Sequence, residues 1–195
     1  MFSDDHLPAL QLTIHATTSS DLPAVLHALN THHLATDFTA DDTHPLTDLQ
    51  PGHTYVTRAG ADTAEHLATT LIITAPHTVF ELVNHPAETQ EGTYIGHVPD
   101  TGTYRAQCNA DGAPLVPADD LAQSLATTSR TSGEMWLATA APSLLGTRVR
   151  AALRAYTDLV PCRFCTRTTP RATAYPHDGW HVCPDCWDDR LYATA

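Results

Sequence analysis

Residues 162–186 place the tightest constraint on what this chain can fold into. Cys162-Arg163-Phe164-Cys165 is followed by seventeen residues and then by Cys183-Pro184-Asp185-Cys186. Two residues between cysteines bend the backbone so that both thiolates face one ion, and two such pairs supply the four sulfurs of a tetrahedral zinc site. Four sulfurs close the coordination sphere, so the spacing predicts one structural Zn2+ per chain, held by Cys162, Cys165, Cys183 and Cys186, with no open position for water or substrate. The segment from Cys162 onward has 34 residues, below the roughly 40 at which a unit usually needs a staple. Its apolar side chains are few (Phe164, Tyr175, Trp180, Val182, Trp187, Leu191, Tyr192). A structural zinc contributes on the order of 10–16 kcal/mol to such a unit. The competing reading is a pair of disulfides or redox pairs, which needs an oxidising compartment or a single Cys-x-x-Cys after a strand.

Between the cysteine pairs, Arg171–Tyr175 and Trp180–Val182 flank Pro176-His177-Asp178-Gly179, a turn-forming cluster, and predict a hairpin. Pro184 suits the first turn of a helix, and Asp185, Asp188 and Asp189 suit its positive end. Knuckle, hairpin and ligand-bearing helix together resemble a treble-clef zinc finger over about the last 35 residues. The resemblance implies architecture and a role in contacting protein or nucleic acid; in the HNH nucleases the same finger is catalytic through a further histidine pattern. His177 and His181 lie in that region but do not reproduce the pattern, and His181 is an alternative ligand in place of a cysteine.

The net charge of −12 is unevenly spread. Residues 1–147 hold three arginines against seventeen acids, whereas 148–195 hold seven arginines against five. Arg148, Arg150, Arg154, Arg163, Arg167 and Arg171 form a candidate nucleic-acid contact strip, and the alternative is a solvated helix face with solubilising finger residues. There is no lysine, while Ala, Thr, Asp and His abound. That bias points to a GC-rich genome, such as a high-GC bacterium or a phage or plasmid within one. No run approaches the roughly 18–20 apolar residues that span a bilayer. The acidic start, Met1-Phe2-Ser3-Asp4-Asp5-His6, lacks the basic and apolar regions of a signal peptide, so a cytoplasmic location is expected.

The remaining pattern predicts an α+β fold: a mainly antiparallel sheet with a few packed helices over residues 1–160, and the zinc finger over 161–195, docked on the helix before it. Ala9–Ala16 alternates as a half-buried strand. Leu22, Val25, Leu26 and Leu29 line one face of a helix that starts near Ser19-Ser20-Asp21. This opening, with its Ser-Asp-Leu-Pro-Ala-Val-Leu stretch, is similar to the first strand and helix of the GNAT acetyltransferases; the similarity implies a Gly-rich pyrophosphate loop after a later strand, and none is present. Residues 30–53, with His32, His33, His44, Asp37, Asp41, Asp42 and Asp48, read as a long polar loop. Ala61–Ala68 is expected as a helical turn, and Thr70–Thr74 with Thr78–Val83 as two strands about Ala75-Pro76-His77. Thr93–Val98 and Thr103–Cys108 form a hairpin about Pro99-Asp100-Thr101-Gly102, followed by a turn at Asn109–Gly112. A helix opens at Pro117-Ala118-Asp119-Asp120, residues 135–141 suit a strand or a helix, and a last helix runs from Pro142, with Leu145, Val149, Ala152, Leu153 and Tyr156 on one face. Cys108 reads as a buried thiol rather than a nucleophile.

No Walker loop, nucleophile elbow, His-Glu-x-x-His or Rossmann fingerprint is present. The expected function is that of a non-enzymatic zinc-binding interaction protein with a protein partner, with a phage or plasmid factor as one form of it. The alternatives are a nucleic-acid-binding regulator using the arginine strip, and a divergent acyltransferase or zinc-finger nuclease.

Overall fold

The structure is a computed structural model. It describes residues 10–36, 45–58, 61–87, 91–127, 136, 141–165, 167–177 and 179–193, with no side-chain description at 61, 172 and 189–193. The chain is an α+β protein with antiparallel sheets. Its main sheet has six strands: β1 (Leu10–Ala16), β2 (Thr54–Thr57), β3 (Val79–Asn84), β4 (Gly92–Val98), β5 (Gly102–Cys108) and β6 (Pro114–Leu115), in the order β2-β1-β3-β4-β5-β6. Helices α1 (Leu22–Thr31) and α2 (Ala61–Thr74) bring their apolar residues to one face; α3 (Ala118–Thr127) follows the sheet, and α4 (Thr147–Thr157) contacts β1, β3, β4 and β5.

Alternation along the strands sorts the side chains into two cores. Leu10, Leu12, Ile14, Phe80, Leu82 and Ile95 join Val25, Ala28 and Leu29 of α1 and Ala64, Leu67, Ala68 and Leu71 of α2. Val79, Tyr94, Val98, Tyr104 and Cys108 point the other way and meet Val149 and Leu153 of α4. The β1–β3 register shifts between Ile14 and Ala16. Alternation already sets His15 on the face of Glu81, and the bulge carries Ala16 onto the same α4 side, where strict alternation would have returned it to the α1/α2 side. Period-2 reading of the sequence cannot reveal such a step.

One expected element is corrected. Residues 70–74 are the last turns of α2, not a strand, so the pair about Ala75-Pro76-His77 is a helix followed by β3. The β-branched run Thr69-Thr70-Leu71-Ile72-Ile73 suggests a strand by propensity. Burial decides otherwise: Ala64, Leu67, Ala68 and Leu71 repeat with helical spacing and all are buried, while Ile73 is 72% exposed. Asp21 begins α1 but does not cap it; its buried carboxylate accepts from the His77 backbone N–H at 2.8 Å, tying α1 to the turn before β3.

The helix expected from Pro142 is interrupted. Gly146 adopts φ +60°, and α4 starts after it. A Cβ at Gly146 would lie 2.2 Å from Tyr104 Cγ, so only glycine lets the chain cross the Tyr104 ring in that left-handed conformation. Gly96 serves a similar purpose, since a Cβ there would meet Leu153 Cδ1 at 2.8 Å; its absence lets α4 sit close on the sheet. The hairpin at 99–102 and the turn at 109–112 form as expected, the latter with Asn109 Oδ1 accepting from the Asp111 and Ala113 amides. Within the polar loop, Asp37, Asp41, Asp42 and His44 lie outside the described residues, as do 135 and 137–140 of the segment expected as a strand or helix.

After α4 come β7 (Leu159–Pro161), β8 (Thr168–Pro170), a 3-10 turn (Arg171–Thr173), β9 (Tyr175–His177), β10 (Trp180–Val182) and α5 (Pro184–Ala193). The 3-10 turn and β8 contact α4. No helix among the described residues is long and apolar enough to cross a membrane.

Candidate metal centre and neighbouring cavity

The first cysteine pair sits in the turn between β7 and β8, whose pairing of Pro161 with Thr168 narrows the loop. The Cys162 N–H donates to the Arg167 carbonyl at 2.8 Å and closes the knuckle. The second pair straddles the start of α5, where Pro184 fills a position whose N–H would have no helical partner. The two halves are stitched together by the Arg163 N–H, which donates to the His181 carbonyl at 2.9 Å, and by a bridge between Cys162 and His181. The hairpin strand β9 begins at Tyr175 rather than Arg171, because Arg171–Thr173 coil into the 3-10 turn; the hairpin then closes at Gly179, φ +77°.

This folding brings all four predicted ligands together. The Sγ atoms of Cys162, Cys165, Cys183 and Cys186 all lie within 4.8 Å of one another, and Cys165 and Cys183 are 3.6 Å apart. A tetrahedral ion with arms of ~2.3 Å needs sulfurs about 3.8 Å apart, so the set can hold a metal ion. None of the five cysteines forms a disulfide. The Cys183 and Phe164 amides each donate to Cys162 Sγ at 3.4 Å. Led by the Cys183 amide, these donors pull the Cys162 thiol down to about 6. The neighbouring sulfurs, Cys165 first, push Cys186 up to about 12. The Cys162 thiolate is thus prepared for a cation. Among the described residues, the four cysteines make the one group of this kind. His181 instead takes Arg171 on its Nε2 at 3.0 Å, and His177 packs edge-on to Trp187.

Around the sulfurs, Val182 is fully buried, Tyr175 stacks on Trp187 with ring centroids 5.0 Å apart, and Trp187 packs on the cysteine cluster. On the outer side, Pro161, Cys162, Arg163, Phe164 and Trp180 line a shallow hollow of about 520 Å³. Trp180 is 53% exposed, and the Arg163 guanidinium lies 4.7 Å above its ring.

The structure disperses the arginine strip. Arg171 pairs with Asp158 at 2.6 Å and Arg167 with Asp185 at 3.4 Å. Arg148 is exposed on α4, whereas Arg150 and Arg154 line a separate cavity of about 360 Å³. The other walls of this cavity come from Glu81, Tyr94, Leu153, Thr157 and the turn 111–114. Glu81 is gripped by His15 Nε2 at 2.9 Å and by the Tyr94 hydroxyl, which donates to it at 2.6 Å. Burial alone would push the Glu81 carboxyl up, but His15, Tyr94 and Arg150 together hold it below the usual value. Sequence reasoning missed this cluster, because His15, Glu81 and Tyr94 belong to three strands and only sheet register makes them neighbours. Cys108 is buried against the Asn84 carbonyl, and burial pushes its thiol up, away from nucleophilic reactivity.

A family model described as a protein of unknown function (DUF3145) matches residues 12–161, and the chain belongs to that family. The match ends immediately before Cys162, so the metal-site cysteines lie outside it. No curated protein and no solved structure matches the chain.

Proposed function

We propose that the protein is a non-enzymatic, zinc-binding interaction protein whose C-terminal segment is a treble-clef finger contacting a protein partner. The observation that carries this is the shared position of Cys162, a member of the four-sulfur set and part of the wall of the hollow displaying Phe164 and Trp180. Four thiolates in a tetrahedral set suit Zn2+, and a closed sphere builds a surface rather than a reaction centre. The ion then fixes an exposed aromatic hollow beside a cation. A protein segment with an apolar anchor flanked by a carboxylate complements Trp180, Phe164 and Arg163. Protein is favoured over nucleic acid because Arg167 and Arg171 are already paired with carboxylates.

The test places a photo-crosslinking residue at Trp180, and separately at exposed Ile73 on α2, in the protein expressed in its native host. The proposal expects one specific protein crosslinked at position 180 and not at 73, with capture lost in the Cys186→Ser variant. Crosslinks that survive loss of Cys186, or salt-dependent retention on duplex DNA abolished by Arg163→Ala, would overturn it.

A further inference from the structure

The cavity under α4 presents a charge arrangement that the finger does not use. Arg150 and Arg154 lie one turn apart on α4, on the same helix face. Glu81 and Asp111 come from β3 and from the turn that follows β5. Two guanidiniums and two carboxylates line one cavity; Glu81 pairs with His15, yet among the described residues neither arginine forms an ion pair with Glu81 or Asp111. Arg150 attracts Glu81 across the cavity without touching it, and Arg154 and Asp111 have no ion-pair partner among the described residues. Glu81 is moreover fixed in place: each of its oxygens accepts a hydrogen bond, from His15 and from Tyr94. Held groups aimed at a cavity are the usual form of a pre-organised binding site.

We propose that this cavity binds a small zwitterion of the amino-carboxylate class, with its carboxylate on Arg150 and Arg154 and its ammonium on Glu81 and Asp111. The two guanidiniums disfavour a simple cation, and the two carboxylates disfavour a simple anion such as phosphate. A molecule carrying both charges at once matches both sets, and a planar carboxylate suits the forked guanidinium donors. The volume of about 360 Å³ suits a ligand of free-amino-acid size, and Leu153, Ala113 and Pro114 offer apolar surface to its side chain.

The test is an NMR titration of the full chain, amide shifts recorded with each proteinogenic L-amino acid in turn and with propionate and propylamine as half-probes. At least one amino acid should give saturable shifts at the Gly112, Leu153 and Thr157 amides, while both half-probes at equal concentration give none. Arg154→Gln, at an exposed position, and Asp111→Asn should each weaken that binding roughly tenfold or more. Three results would overturn the proposal: no saturable shift from any amino acid at about 10 mM, propionate or propylamine binding as tightly as the best amino acid, or both variants binding like the wild type.

Discussion

At the residue scale, Glu81 shows how placement sets chemistry. Its folded-state pKa is held below the ordinary carboxyl value by His15, Tyr94 and Arg150 acting against burial. A carboxyl whose folded pKa lies below its unfolded value binds fewer protons in the native state, so its stabilising contribution is present above that unfolded value and is lost as pH falls below it. Replacing Glu81 by Gln should therefore lower stability most at neutral pH, and the gap to the wild type should narrow as urea denaturation is repeated down to about pH 3. A gap that stays constant with pH would show that His15 and Tyr94 do not stabilise the charged form. No feature of the sequence announced this cluster. Glu81 lies in an apolar strand run, Phe80-Glu81-Leu82, where a single acid looks like the solvent side of an alternating strand. Only β1–β3 pairing sets His15 beside it.

At the element scale, α2 separates what periodicity can and cannot convey. Its first half was legible as helical from Ala61–Ala68, but the β-branched run after it has strand propensity, and propensity lost to burial. Leu71 and Ile73 make the difference measurable. In a strand both would lie on one face; in the helix Leu71 is fully buried and Ile73 is 72% exposed. Leu71→Ala should cost about 2–5 kcal/mol in chemical denaturation, and Ile73→Ala should stay within about 0.5 kcal/mol. Equal costs at the two positions would contradict the helix. By contrast, the β4–β5 hairpin and the turn at Asn109 were readable because Gly, Asp and Asn there carry local backbone preferences that tertiary packing has no reason to override. Gly146 belongs with the unreadable group, because its break in the last helix answers to the Tyr104 ring, forty-two positions earlier in the chain.

At the scale of the whole molecule, the six-stranded sheet has two apolar cores about it, while among the described residues the buried cluster of the C-terminal cysteine segment is three residues, two of them cysteines. The cysteine spacing made the convergence of Cys162, Cys165, Cys183 and Cys186 legible before any fold was known, since two Cys-x-x-Cys turns are the pattern of a four-sulfur cluster. The cavity under α4 was not legible, because it depends on the placement of helix against sheet. The difference in core size predicts unequal dependence on metal. A strong chelator should abolish hydrogen-exchange protection in 159–193 and leave that of β1, β3 and β4 in place. Simultaneous loss of protection in both regions would mean that the body relies on the finger. The most direct test of the four-sulfur site is X-ray absorption at the zinc edge on reduced, tag-free protein, together with its metal content. One zinc per chain with four sulfurs at about 2.3 Å is the predicted result; a metal-free protein, or a shell in which nitrogen or oxygen replaces a sulfur, would contradict it.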